Sequence, residues 1–236
     1  MIVACWSGPR NISTALMRSW ASRKDTFVID EPFYAYYLKE LQLHHPMYEE
    51  IISSYPTKYD EIVNTLTTHI PNNKKIWYQK HMAHHLIDLN EIQWIENCEN
   101  CILIRHPKDV ISSYSVKHKL NSVNELGYPQ QYEIVKLLKN LNKPFMIIDS
   151  KDLLKNPKEV LSNWCESISI DFDQSMLHWK TGNHQYDGIW WKHWYDNVIS
   201  TTGFQKYNER DISIENKYDS IYNESMRYFN LLRDLK

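Results

Sequence analysis

The first residues suited to chemistry lie in a short loop near the start of the sequence. An apolar run, residues 2–6, precedes the turn-forming residues 7–11, and apolar residues at helical spacing follow. Free N–H groups at the start of that helix, with its dipole, can hold an anion. Arg10 adds a fork of donors suited to phosphate or sulfate, and Ser13 and Thr14 add hydroxyls. An ordinary turn that binds nothing would have the same pattern. The candidate residues are Gly8, Pro9, Arg10, Asn11, Ser13 and Thr14.

A second candidate anion site follows a later apolar run, residues 101–104. Arg105 stands at the end of this predicted strand, which Pro107 terminates. Asp109 is expected to cap the next helix, and Ser113 falls on the second turn of that helix. The arginine by charge and the serine by hydrogen bonding can converge on one anion. The sequence therefore predicts two anion sites.

Two side chains at predicted strand ends could exchange a proton with a substrate. Glu31 follows the strand at 26–30, where open α/β sheets keep their ligands, although a cap or a salt bridge would also explain it. His81 follows the strand at 75–79, and an imidazole with a pKa near ~6.5 suits a general base. His81, His84 and His85 could also suggest a metal. No HExxH pattern or carboxylate at ligand spacing accompanies them, so we expect no metal site.

The spacing of the apolar runs predicts the fold class. Five apolar strands alternate with helical stretches, which indicates an α/β fold with a central parallel sheet of about five strands and helices on both faces. The length of 236 residues favours a single domain, 1–236. The predicted strands are residues 2–6, 26–30, 75–79, 101–104 and 144–149.

Composition excludes several classes of protein. A formal net charge of −2 argues against a nucleic-acid binder that depends on a basic surface. The sequence contains no apolar run near the ~20 residues that span a bilayer, and no signal peptide is visible. We therefore expect a cytoplasmic protein with reduced cysteines and no membrane partner.

An aromatic-rich stretch, residues 176–207, is punctuated by glycines and contains Lys192. It could form a lid, a platform on which a base stacks, or a core flap without a ligand. Spacing alone leaves these alternatives open.

The motifs together resemble the sulfotransferase family. Residues 7–14 resemble its 5′-phosphosulfate loop, which typically reads Pro-Arg/Lys-Ser-Gly-Thr-Thr, with Ile12 here in place of glycine. Arg105, Pro107 and Ser113 resemble its 3′-phosphate motif. The stretch from Ile147 to Leu154, with the helix to Ile168, is similar to a third family segment. These matches cover most of residues 1–170.

The resemblance implies a P-loop NTPase-like fold and the donor 3′-phosphoadenosine 5′-phosphosulfate (PAPS). Arg10, Ser13 and Thr14 would bind the 5′-phosphosulfate, and Arg105 and Ser113 the 3′-phosphate. The family's late glycine-containing loop has no clean match, so Lys192 or the turn at 201–204 would replace it. Sulfuryl transfer needs no metal, because cations and backbone donors can balance the charge.

The resemblance also implies a catalytic base, since family members use either histidine or glutamate. We favour His81, with Glu31 positioning the substrate or acting as the base instead. Lys80 would stabilise the leaving phosphate, although a surface lysine is the commoner outcome.

The expected reaction is transfer of a sulfuryl group to a hydroxyl or amine of a small acceptor. A P-loop kinase of small molecules is one alternative, and the missing loop lysine counts against it. A non-catalytic nucleotide-binding module is the other. The aromatic residues at 33–48 and 176–207 suggest a partly apolar or sugar-like acceptor.

Overall fold

A five-stranded parallel sheet forms the centre of the structure, a computed structural model that describes residues 1–209 and 212–236. The strand order is β2-β3-β1-β4-β5, and each neighbouring pair is parallel. Every predicted strand overlaps an observed one, which confirms the predicted α/β class. The strands are β1 (Ile2–Ser7), β2 (Thr26–Asp30), β3 (Ile76–Met82), β4 (Glu99–Ile104) and β5 (Phe145–Asp149).

Helices connect the strands and cover both faces of the sheet. No helix within residues 1–209 and 212–236 has the length and apolar character needed to cross a bilayer. The helices are α1 (Ser13–Ala21), α2 (Tyr34–Glu40), α3 (Tyr48–Ser54), α4 (Tyr59–Thr67), α5 (Pro107–Ser115), α6 (Tyr128–Asn140), α7 (Ser150–Lys155), α8 (Pro157–Ser167), α9 (Trp191–Trp194) and α10 (Asp219–Arg233).

Two apolar cores lie on opposite faces of the sheet, because successive strand residues point in opposite directions. In one core Cys5 and Tyr78 pack with residues of α1 and α8. In the other, Trp6 and Trp77 pack with residues of α6 and α10. All seven residues of β3 are buried, as expected for a central strand of a parallel sheet. Neighbouring β3 residues therefore enter different cores.

The loops that follow the strands meet at one edge of the sheet, because parallel strands all end there. Arg10 lies in the loop after β1, Glu31 directly follows β2, and Arg105 directly follows β4. This carboxyl edge is where open α/β sheets bind ligands. The topology thus positions both predicted anion sites and the carboxylate together.

Residues 188–198, here called the aromatic segment, are tied to this edge from two sides. The carboxylate of Asp30 at the end of β2 accepts hydrogen bonds from the Gly188 N–H at 3.0 Å and the Tyr195 hydroxyl at 2.5 Å. Arg18 of α1 donates to the Val198 carbonyl at 3.2 Å and forms a buried ion pair with Asp187 at 3.1 Å. The segment is therefore held in place by buried polar contacts.

Candidate active site

The loop after β1 holds a tight conformation before α1 begins. Arg10 has a φ of 53°, in the left-handed region that side chains other than glycine seldom adopt. The Asn11 side chain stabilises this turn by donating to the Leu103 carbonyl at 2.7 Å and accepting from the Ile12 N–H at 3.0 Å. The Ser13 hydroxyl donates to the Asn11 carbonyl at 3.3 Å. The loop is thus anchored to β4 and directs the start of α1 toward the carboxyl edge.

Arg10, Arg105 and Ser113 are brought together at this edge. Arg10 donates from Nε to the Ser113 hydroxyl at 2.9 Å, and Arg105 donates from Nη1 to the Arg10 carbonyl at 2.7 Å. Burial, and then the nearby charge of Arg105, lower the pKa of Arg10. Two cations held this close are stabilised by an anion that contacts both. The two predicted anion sites are therefore neighbours.

Gly8 has a packing role in this loop. A Cβ on Gly8 would lie 2.2 Å from the Leu126 carbonyl oxygen, so only glycine allows this close approach of two backbone segments. Pro9, Ser13 and Thr14 line the cavity beside the loop, whereas Gly8 is absent from its lining.

A buried charge network stands across the cavity from the loop. Lys80, on β3, donates from Nζ to Asp30 at 2.8 Å, to Glu31 at 2.5 Å and to the Tyr195 hydroxyl at 2.8 Å. The Lys80 and Asp30 side chains are each 1% exposed and that of Glu31 is 12% exposed. All three N–H donors of the ammonium group are therefore used inside the protein.

The network changes the acid strength of its members. Burial raises the pKa of Glu31, Lys80 opposes that rise, and the neighbouring Asp30 adds to it. Burial would lower the pKa of Lys80, but Asp30, Glu31 and Tyr195 outweigh that effect and raise it well above its usual value. Lys80 consequently stays protonated. Glu31 is a carboxylate of increased basicity that faces the cavity.

His81 lies away from this site, contrary to its predicted role as the base. Its ring stacks on Trp6 at a centroid distance of 4.2 Å, in the core on the face of the sheet opposite Lys80. Its Nε2 is 3.1 Å from the Gln79 side-chain oxygen, and its side chain is almost fully buried. Burial lowers the pKa of His81 to about 3. A core imidazole with no access to the cavity cannot accept a substrate proton.

Two adjoining spaces occupy the carboxyl edge, and Arg10, Trp194 and Tyr195 line both of them. The front chamber extends from the β1 loop to Glu31 and Lys80, under a ring of tyrosine and histidine side chains. The side cleft extends in the other direction, past Arg105 and Ser113. Its lining includes Leu154, Asn197, Thr201, Gly203 and Gln205.

Lys192 does not contribute to either space. It is an exposed residue of α9 and lines neither the front chamber nor the side cleft. The turn at 201–204, which the sequence offered as the alternative to Lys192, does line the side cleft through Thr201 and Gly203. The structure therefore places this turn, and not Lys192, beside Arg105.

Comparison with known proteins shows the family to which the chain belongs. The family profile described as a sulfotransferase domain matches residues 1–234. The chain is a member of the sulfotransferase family. The resemblance read from the two anion motifs is thereby confirmed at the level of the family.

Two curated relatives of this sulfotransferase come from Arabidopsis thaliana. Branched-chain-amino-acid aminotransferase-like proteins 1 and 2 are 31% and 29% identical over 98% of the chain. The chain spans 41% of the length of each relative. The names of these relatives refer to proteins more than twice as long as the matched part.

Solved structures share the fold of this sulfotransferase at low sequence identity. The sulfotransferase domain of the Synechococcus PCC 7002 olefin synthase aligns with a TM-score of 0.63 at 16% identity, covering 98% of this chain and 94% of that chain. A sulfotransferase from Alicyclobacillus acidocaldarius aligns with a TM-score of 0.58 at 8% identity, covering 98% and 95%. At such identities the comparison establishes the shared architecture.

The sulfotransferase has no evident metal centre in the described part of the chain. No group of three or more histidine, cysteine, aspartate or glutamate side chains within residues 1–209 and 212–236 is placed to bind one ion. His84 and His85 instead face the front chamber with aromatic neighbours, and the His85 ring stacks on Tyr34 and Tyr37.

Sequence reasoning missed several residues of the site. Tyr195 belongs to the Lys80 network but is 115 positions distant from Lys80 in the sequence, so no local pattern links them. Asp30 looked like the last residue of a strand, yet its carboxylate holds Lys80 and Tyr195. The sequence signal nearest to Tyr195 was the aromatic stretch at 176–207, but its spacing left a lid, a stacking platform and a core flap as alternatives and assigned no contacts.

Proposed function

We propose that this sulfotransferase moves a sulfuryl group from PAPS to a hydroxyl, or an amine, of a small acceptor. The observation that carries the proposal is the hydrogen-bonded cluster of Arg10, Ser113 and Arg105, which lines the side cleft and reaches the front chamber through Arg10. A nucleotide in the side cleft would have its 3′-phosphate beside Arg105 and Ser113. Its phosphosulfate would then lie at the β1 loop, next to the front chamber.

The loop residues fit a phosphosulfate group. Arg10 can bind its oxygens by charge, and Ser13 and Thr14 stand on the first turn of α1, where backbone N–H groups are free. Ile12 is the residue before this helix, with φ of −65°, so the missing family glycine is not needed for a left-handed turn there. The unusual conformation is at Arg10 instead.

Glu31 is the residue we propose as the base in place of His81. It lines the front chamber together with Arg10 and Thr14, and burial makes its carboxylate more basic. In the proposed step the acceptor oxygen forms a bond to sulfur while the bond from sulfur to the 5′-phosphate oxygen breaks. The acceptor proton passes to Glu31, and 3′-phosphoadenosine 5′-phosphate (PAP) leaves.

Lys80 is better placed to orient Glu31 than to stabilise the leaving phosphate. Its three N–H donors are all used by Asp30, Glu31 and Tyr195. An ammonium group held this way fixes one Glu31 oxygen and leaves the other for the acceptor. We therefore propose Lys80 as a positioning residue.

Calorimetry tests the donor class. We expect PAP to bind without a metal and ATP with Mg²⁺ to bind much more weakly, since the β1 loop lacks the lysine that nucleotide kinases use. Transfer of labelled sulfate from PAPS then distinguishes an enzyme from a non-catalytic binding module. Preference for ATP with Mg²⁺ would favour the kinase alternative and overturn the proposal.

A cytosolic location remains part of the proposal. It is supported by the four cysteines, which are all buried free thiols in this structure.

A further inference from the structure

The front chamber adjoins a second space that does not include the β1 loop in its lining. His45, His84, Tyr114 and His118 line both spaces, so the two share one wall. We call the second space the outer groove. A ligand with its reacting group at Glu31 would have to pass these rings to extend into the outer groove.

One side of the outer groove is apolar and exposed. Leu41 and Ile87 are 46% and 39% exposed, and both line it together with the buried Leu86. In the described part of the chain only five large hydrophobic side chains are this exposed, and two of the five belong to this groove. Leu41 and Ile87 thus give the outer groove an apolar side that is open to solvent.

The histidine rings along this path are electrically neutral, because burial lowers their pKa values. Burial lowers the pKa of His84 to about 3 and also lowers those of His45, His85 and His118. The charged side chains around these rings are Arg10 and the paired Lys80 and Glu31 in the chamber, with Lys119 and Glu125 on the outer groove. Arg10 belongs to the proposed donor side, and Glu125 accepts hydrogen bonds from Asn121.

Three buried polar atoms along the path have no hydrogen-bond partner among residues 1–209 and 212–236. They are His84 Nδ1, His118 Nε2 and Gln130 Oε1, and all three residues line the outer groove. His84 and His118 also line the front chamber, and buried polar atoms are normally satisfied, so their free nitrogens suit the hydroxyl of an acceptor bound there. A neutral imidazole can donate or accept, which matches a hydroxyl or an ether oxygen better than an ion.

We propose that the acceptor is an uncharged alcohol with an extended apolar tail. Its reacting hydroxyl lies at Glu31 in the front chamber, and its tail lies over Leu41 and Ile87 in the outer groove. This inference rests on the proposed sulfuryl transfer and adds the chemical class of the acceptor.

The test measures kcat/KM for sulfation of straight-chain primary alcohols from four to ten carbons with PAPS as donor. We expect kcat/KM to rise about two- to fourfold for each methylene that the groove covers. Alcohols of the same length that end in a carboxylate or an ammonium group should react at least about tenfold more slowly, because the groove would have to desolvate an ion.

Two variants locate the effect. Ile87→Asp should abolish most of the increase in kcat/KM with chain length, whereas Leu231→Asp should retain this increase. Leu231 is a matched control, since it is 40% exposed on α10 and lies outside both the front chamber and the outer groove. The inference would be refuted if kcat/KM does not rise with chain length, or if both variants reduce that rise equally.

PAP binding distinguishes failure of the acceptor class from failure of the proposed function. If PAP binds the wild-type protein normally but no uncharged alcohol in the series reacts, the acceptor class is wrong and the proposed donor stands. If PAP does not bind, the proposed function fails and the acceptor inference fails with it.

Discussion

Arg105 donates a hydrogen bond from its guanidinium group to the main-chain carbonyl of Arg10, at 2.7 Å. The contact joins residues 95 positions apart and ties the end of β4 to the loop after β1. It also sets the spacing between the two proposed phosphate-binding groups. Donor affinity should therefore depend on both arginines together.

The first prediction concerns donor binding. Arg105→Ala should weaken PAP binding about 10- to 100-fold, because a charge-assisted hydrogen bond contributes roughly 1.5–3 kcal/mol. Arg227→Ala removes an exposed arginine on α10 and should leave the affinity unchanged. Titration calorimetry with PAP measures both variants, and equal affinities would remove Arg105 from the donor site.

The second prediction concerns the base. Glu31→Gln should reduce kcat for sulfate transfer about 10²- to 10⁴-fold while PAP affinity stays near that of the wild type. Glutamine retains the shape but cannot accept the proton. Glu91→Gln, at an exposed position, is the control. Retention of full activity by Glu31→Gln would require a different base.

The third prediction uses the buried network. Lys80→Met leaves the Asp30 and Glu31 carboxylates without their counter-ion and should lower the free energy of unfolding by about 3–5 kcal/mol. Lys136→Met breaks the exposed pair with Glu133 and should change stability very little. Urea unfolding compares the two. Similar small losses would mean that the network is not electrostatically important.

The fourth prediction concerns pH and the core position of His81. Its pKa is about 3 in the folded protein and near ~6.5 when unfolded, so the unfolded chain binds more protons between these values. This contribution to stability is complete above pH 6.5 and is lost as the pH falls toward 3. The free energy of unfolding should therefore decrease as the pH falls from 6.5 toward 3. His81→Phe should reduce the slope of this free energy against pH by up to about 1.4 kcal/mol per pH unit.

Denaturant unfolding at several pH values measures the slope, with His69→Phe as an exposed control. His81→Phe should also keep sulfate transfer, because His81 does not reach the front chamber. Loss of transfer with unchanged stability would restore His81 as a catalytic candidate.

The general layout of the fold was readable from the sequence. The β1 loop and its helix, Arg105 at the end of β4 and the five apolar runs all follow local rules of strand, turn and helix formation. Parallel strands then bring their end loops together without any further information. This is why two separate motifs could be assigned to one site.

The choice between Lys80 and His81 could not be read in the same way. β3 is buried on both faces, so its sequence shows no alternation that would tell which side chain points to the site. Register with β1 decides it, since Lys80 pairs with Cys5 and His81 with Trp6. A shift by one residue would exchange their roles.

The helix boundaries depend on local contacts that sequence rules do not predict. Asp88 is followed by two 3₁₀ turns, and its side chain caps the first of them by accepting from the Asn90 N–H. Asp109 was the expected cap of α5, but His106 holds that place and accepts from the Lys108 N–H at 3.2 Å. Here the proline at 107 starts the helix earlier than the acidic residue suggested.

Trp194 and Tyr195 form a partition that the front chamber and the side cleft have in common. If a nucleotide on one side moves this partition, the shape presented to the acceptor on the other side changes as well. Thermodynamic linkage then requires each ligand to alter the affinity of the other by the same factor. Any coupling between donor and acceptor binding is therefore expected to pass through these two rings.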